Sequence, residues 1–238
     1  MFVGVESFNR ETLLGAKKNQ NHPEHYGEIV RLCREHGIGS HFSNIVGFPG
    51  DTKTEILDHL HILRRLRPDV ASFYILTPIP GTEQYDDFLA RGLITERNLD
   101  RFDATCPTWQ HPHLSHAQLA TLLARCYREF YSLPDALVKS LQWFWRKRAS
   151  DNILLKIAVG AYSYLSRLAV AQQMHPMAGG MHRVRLDAAS KYRDLRRAQF
   201  GCDLVPLPHS LRPPDERADE SSRTDFGSRR ATVTMAPG

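Results

Sequence analysis

Three places in the 238-residue sequence set chemically capable residues directly after apolar runs. Glu6-Ser7 follows Phe2-Val3-Gly4-Val5. Gly47-Phe48-Pro49-Gly50-Asp51-Thr52 follows Ile45-Val46, and Thr77-Pro78-Ile79-Pro80-Gly81-Thr82 follows Val70 to Leu76. Gly47 and Gly50 let the backbone approach a ligand without a side-chain barrier, since glycine tolerates close contact and positive φ while proline stiffens the turn. The bland reading of the same residues is a strand-to-helix connector. A carboxylate, a glycine turn and a second Pro-Gly turn converging on one spot would suit a nucleotide-like ligand.

Convergence requires particular elements around these residues. The run through Val5 reads as a strand, with Ser7 or Asn9 able to cap a short helix through Leu14. Tyr26 to His36 is helical by the spacing of Ile29, Val30, Leu32 and Cys33, and Gly37 and Gly39 stop it. Ile38 to Val46 is the next strand. Thr52 with Glu55 three residues on has capping-box spacing, and Ile56, Leu57, Leu60, Leu63 and Leu66 form one apolar stripe. Pro68 ends that helix, Val70 to Leu76 is a third strand, and Glu83 to Ala90 is a further helix closed by Gly92. Strands alternating with helices predict a parallel sheet with crossover helices, in which the loops after the strands carry the site.

Arg101 to His116 reads as irregular, Ser115 caps a helix from about His116 to Tyr131, and residues 136 to 200 read as three helices. From about Val205 the composition turns to Pro, Ser, Arg, Asp and Gly, which predicts a disordered tail. The chain has 42% hydrophobic residues, enough for a core, and a net charge of +5. Lys and Arg concentrate after residue 139, so the charge does not imply nucleic-acid binding for the front part. Cys33, Cys106, Cys126 and Cys202 are scattered with no metal or redox spacing, which fits a reducing, cytoplasmic compartment. His111, His113 and His116 lack the carboxylate or cysteine partners of a metal centre, and no metal site is predicted. No signal peptide or spanning helix is expected.

The motifs carry more in combination. "FVGVES", "KKNQNHPEHYGEIVRLCREHGIGSHFSNIVGFPGDTKTE" and "ASFYILTPIPGTEQYDDFLARGLI", in that order, resemble the second half of the radical S-adenosylmethionine enzyme core, in its cobalamin-associated branch. The resemblance covers roughly residues 1–133. It implies an α/β fold, half of a (β/α) barrel, followed by a helical region (134–203) and the tail (204–238). It further implies S-adenosylmethionine contacts at Glu6 and neighbouring Ser7, with Gly47, Phe48, Pro49 and Gly50 beside the adenine and Asn44 as a polar contact. Tyr74, Pro78 and Gly81 fall on the substrate side; a tyrosine in the position of Tyr74 is more often a core aromatic, because it and Phe73 alternate faces and only one can point inward.

The chain departs from the family at the C-x-x-x-C-x-x-C loop that holds a four-iron, four-sulfur (4Fe-4S) cluster. Scattered cysteines do not replace such a loop. The strand directly after Met1 reads as a start inside a domain, so the expectation is a C-terminal portion whose cluster loop and cobalamin-binding domain lie on a missing N-terminal portion. The resemblance implies methyl transfer to, or rearrangement at, an unactivated carbon of a small-molecule or lipid substrate. Trp143, Phe144 and Trp145 beside Arg146, Lys147 and Arg148 would suit a membrane interface and a hopanoid-type methylase; the alternative is a helical subdomain with its basic residues in water. A non-catalytic binding or scaffold remnant is the second functional reading. An ordinary metabolic barrel enzyme would need an acid-base pair or metal at the strand ends, and none is evident.

Overall fold

In the computed structural model, residues 1–96, 101–145 and 153–171 are described. Three strands, β1 (Phe2–Glu6), β2 (His41–Val46) and β3 (Val70–Ile75), form one parallel sheet in the order β1-β2-β3. Between β1 and β2 lie α1 (Arg10–Gly15), a 3₁₀ turn (Pro23–His25) and α2 (Tyr26–Glu35); α3 (Lys53–Leu66) joins β2 to β3. After β3 come α4 (Glu83–Ala90), α5 (His116–Phe130), α6 (Leu133–Trp145) and α7 (Ile153–Ala171). The sheet is open rather than closed. The third helix expected before residue 200 and the tail lie outside the described residues.

Local chemistry sets the boundaries. Asn9, rather than Ser7, caps α1 by accepting from the Glu11 and Thr12 amides, while Ser7 Oγ accepts the Asn9 N–H. Thr52 and Glu55 complete a capping box on α3, and Ser115 with Gln118 does the same on α5. β2 begins at His41 rather than Ile38, because the Ile38 amide still closes on Cys33 O of α2 at 2.8 Å and the Ser40 amide is taken by a side chain. Asp69 accepts from the Ser40 amide and hydroxyl, both at 2.9 Å, and this fastens the starts of β2 and β3 together.

The core fills the sheet face that meets α2, α3 and α5. Val5, Phe42, Val46, Ala71, Phe73 and Ile75 pack there against Val30, Leu60, Leu63, Leu119 and Leu122. By strand alternation, His41, Ser43, Ile45, Ser72 and Tyr74 share the opposite face, with Ser43 beside Ser72 and Ile45 beside Tyr74 in register. Tyr74 and Phe73 therefore do point opposite ways.

The outer edge of β3 is sealed by two tyrosines. Tyr131 Oη accepts the Ala71 N–H at 3.0 Å and donates to the Ala71 carbonyl at 2.6 Å. Tyr127 Oη accepts from Phe73 N at 3.0 Å and donates to Phe73 O at 3.1 Å. The Ile75 amide then donates to Ala104 O at 2.8 Å. Four helical residues rise about 6 Å and two strand residues about 6.6 Å, so tyrosines spaced i, i+4 meet alternate strand residues. Each phenol does for one residue what a neighbouring strand would do.

Tyr127→Phe or Tyr131→Phe strands a buried N–H and a buried carbonyl, so each is expected to cost about 1–3 kcal/mol in urea unfolding. Amide exchange should accelerate first at Phe73 or Ala71, respectively; unchanged exchange would refute the seal.

Candidate functional site

The turn after β2 is locked from several sides. Gly47 has φ +86°, and a Cβ there would lie 2.7 Å from Leu119 Cδ2. Its glycine is thus demanded by backbone conformation and by packing against α5. Asp51 Oδ2 accepts from the amides of Gly47 (3.0 Å) and Phe48 (2.9 Å), and the Asp51 amide donates back to Phe48 O at 2.8 Å. Burial nevertheless raises the Asp51 carboxyl to about 6. His111 Nε2 lies 2.8 Å from Phe48 O, while its Nδ1 accepts the His113 and Leu114 amides. These partners fix a neutral imidazole with its proton on Nε2, and burial holds its pKa below the usual histidine range.

Gly50 differs from Gly47. Its conformation is one that other residues adopt, and no atom lies within 4 Å of the position a Cβ would take. It opens instead, with Phe48 and Pro49, on a cavity of about 760 Å³ walled by α1 and α4. That size falls in the roughly 300–1,000 Å³ range of small-molecule sites. The wall is polar and charged: Asn9, Glu11 and Lys17 come from the α1 side, Glu83, Asp87 and Arg91 from the α4 side. Lys17 pairs with Glu83 at 2.7 Å across it, though both side chains are solvent-exposed and the pair contributes little to stability.

Glu6 ends β1 at a register shift and has φ +61°, an uncommon conformation for a residue with a Cβ. Its Oε1 takes Lys18 Nζ at 3.0 Å, while Oε2 is buried with no hydrogen-bond partner. A strained residue with an orphaned carboxylate oxygen is the kind of feature that ligand sites hold. Glu6 is the last residue of β1 and Gly50 follows the carboxyl end of the adjacent β2, the end of the sheet at which parallel-sheet sites form.

Asn44 sits apart. It shares the helix-facing side with Phe42 and Val46, donates its amide to Phe42 O (3.0 Å) and Ser72 O (3.1 Å), and pairs through Oδ1 with His59 Nε2 at 3.0 Å. Burial drives the His59 imidazole down to about 4. His59, Asp51, Glu55 and Ser7 line a second, smaller cavity of about 250 Å³ against α3. Tyr74, Pro78 and Gly81 line neither cavity. Asp51, Lys18, His59 and His111 escape a motif reading. Only Asp51 has a sequence signal, as an aspartate closing a glycine turn.

Among the described cysteines, Cys33 lies in α2, Cys126 in α5 and Cys106 in the loop between α4 and α5, with Cys33 and Cys126 buried. Burial pushes the Cys126 thiol up to about 12, the reverse of what a thiolate ligand needs. These thiols do not fit an iron–sulfur cluster. The cavity beside Gly50 has the size for a polar, nucleoside-sized cofactor, whereas Glu6 lines neither cavity and offers its orphaned oxygen apart from them.

A parallel α/β unit with a three-stranded open sheet is the class of protein that this geometry defines. No family profile matches the chain. It is 28% identical to an uncharacterized methyltransferase of Pyrococcus horikoshii over 157 residues, covering 65% of this chain and 34% of that protein. It is 24% identical to the bacteriochlorophyllide d C-8(2)-methyltransferase of Chlorobaculum tepidum over 159 residues, 66% of this chain and 35% of that one. With the anaerobic magnesium-protoporphyrin IX monomethyl ester cyclase of Cereibacter sphaeroides it shares 24% identity over 127 residues, 53% of this chain and 19% of the cyclase. These relatives are methyltransferases and a cyclase of the radical S-adenosylmethionine type, so the family resemblance read from the motifs holds. The chain matches about a third of the length of the two methyltransferases.

Gly47→Ala is expected to destabilise the fold by about 2 kcal/mol or more, and Gly50→Ala by less than about 0.5 kcal/mol, in chemical unfolding. Equal losses would contradict the packing distinction. Asp51 and His59 should give pH slopes of opposite sign. Asp51 titrates at about 6 folded against 3.8 unfolded, so its contribution is present at low pH and is lost as pH rises through that window. For His59 the folded value of about 4 lies under the reference 6.5, so its contribution is full above 6.5 and is lost as pH falls. Asp51→Asn should therefore steepen the loss of stability on acidification and His59→Gln should flatten it, by at most about 1.4 kcal/mol per pH unit each.

Proposed function

We propose that this chain forms the S-adenosylmethionine-cradling part of a radical enzyme that methylates or rearranges an unactivated carbon. Residues 1–133 would be the second half of the barrel, 134–203 a helical region and 204–238 a tail. The observation that carries the reading is the buried, unpartnered Oε2 of Glu6 at the end of β1, within one strand of the Gly47–Gly50 turn. A buried carboxylate oxygen without a donor is costly, and a ligand hydroxyl or ammonium group would satisfy it. Gly50 leaves room for a flat ring to lie on the turn backbone, and Asp51 and His111 hold that backbone still. Ser7 supports the Glu6 loop from within, while Asn44 acts through the packing behind β2. Tyr74, Pro78 and Gly81 would border the substrate.

Bound S-adenosylmethionine would supply the methyl group or the radical precursor. The 4Fe-4S cluster, and cobalamin if this branch's pattern holds, would be held by an N-terminal portion of the same enzyme, since the cysteines described here do not fit one. The methyltransferase and cyclase relatives support the reaction class. The substrate would be a small molecule or lipid rather than nucleic acid. A hopanoid-like lipid reached from the membrane surface is the finer reading, supported by Leu133, Leu137 and Leu141, which form an exposed i, i+4, i+8 row on α6. Among the described residues no helix is long and apolar enough to cross a membrane. A cytoplasmic, membrane-peripheral enzyme fits this reading. The placement of the described cysteines favours a second reading, in which the chain is a non-catalytic binding remnant that keeps the cofactor cradle.

Titration calorimetry should show S-adenosylmethionine binding, weakened roughly 10- to 100-fold by Glu6→Gln, which removes a charged acceptor, and weakened also by Gly50→Ala. Equal affinity in wild type and both variants would sink the assignment. Anaerobic reconstitution with iron and sulfide separates the two readings: a cluster that forms only when an N-terminal portion is supplied, together with methyl transfer, supports the enzyme.

A further inference from the structure

The turn between α1 and α2 carries a cluster that the proposed cofactor site does not use. His22, Glu24 and His25 each offer a donor atom, and the three atoms lie within 4.8 Å of one another. We propose that these residues bind a divalent transition-metal ion. The inference stands on its own residues and does not require S-adenosylmethionine binding.

The geometry follows from the sequence His22-Pro23-Glu24-His25. Pro23 pre-sets φ at the start of a 3₁₀ turn, and the His25 amide closes it on His22 O at 3.0 Å. Three residues per turn place i and i+3 above one another, which brings the two imidazoles to one side with ring centroids 5.6 Å apart. Glu24 Oε1 lies 3.1 Å from His22 Nδ1. Donors at 2.0–2.2 Å from a tetrahedral ion sit about 3.4 Å apart, so side-chain torsions alone can complete the site. Two imidazoles and one carboxylate suit zinc, nickel, cobalt or copper rather than calcium or magnesium, and they leave a position for water.

The backbone on both sides is already fixed. Asn21 Nδ2 donates to Gly4 O and Val5 O at 2.8 and 3.1 Å, and Tyr26 Oη donates to Val5 O at 3.0 Å. The cluster therefore projects from a turn tied to β1 at two points, and a metal would find its ligands largely pre-positioned. All three side chains are exposed, so an ion can enter freely. The positive end of α2 opposes a cation here, and the Glu24 carboxylate offsets it. A bound ion would clamp the α1–α2 connection against β1, close to the Lys18–Glu6 pair.

Zinc titrated calorimetrically into the full chain should bind at this cluster, with the affinity falling at least about 10- to 100-fold in His22→Ala, His25→Ala and Glu24→Gln. Zinc should also raise the thermal midpoint of the wild type and leave that of the His22→Ala/His25→Ala variant unmoved. Cobalt at the same site should give a visible spectrum without thiolate charge-transfer bands. Equal zinc affinity in wild type and double variant, or a thiolate band that persists in the variant, would overturn the proposal. The exposed substitutions leave the core intact, which circular dichroism verifies.

Discussion

The edge of β3 must have its backbone groups bonded, and that requirement organises much of the molecule. α5 meets it through Tyr127 and Tyr131, so the helix is fixed in height and rotation relative to the sheet. Once α5 is fixed, Leu119 stands against Gly47, and the loop leading into α5 delivers His111 to Phe48 O. The turn after β2 is thus shaped by residues more than sixty positions downstream. Burial raises both phenol pKa values well above the ordinary range, so they keep their protons, and with them their ability to donate.

Against that rigid backing, polar groups that remain unsatisfied carry information. Asn44 has both amide protons bonded, and Asp51 serves two amides of its own turn. Both read as architecture. Glu6 differs, because a left-handed backbone and a buried, orphaned oxygen occur together at the end of a strand. The contrast separates residues that hold the site from one that would touch what binds there.

The strand–helix alternation was legible because apolar period, capping pairs and glycine stops agree at each boundary, and the capping boxes at Thr52 and Ser115 appear where their spacing places them. The site was legible in part. Glu6, Phe48, Pro49 and Gly50 lie at strand ends as the motifs imply. Gly47 was legible as a turn glycine through its positive φ, but its second constraint, Leu119, is a contact across 72 positions that no local pattern encodes. For Asn44, period two groups it with Phe42 and Val46, the apolar residues on either side, and so with the helices. The tyrosine seal has no sequence signature short of knowing which strand ends the sheet, since i, i+4 aromatics on a helix ordinarily signify core packing.

With β3 closed by side chains, β1 is the edge of the sheet that stays open among the described residues, where the Asn21 amide covers the Gly4 and Val5 carbonyls. Strand addition from any other polypeptide is therefore directional. Two copies meeting through their β1 edges would exhaust both and stop as a pair, with no second edge left to propagate a ribbon. The two phenols thereby deny the Ala71 and Phe73 backbone groups to an incoming strand, with two oxygen atoms in place of an added strand.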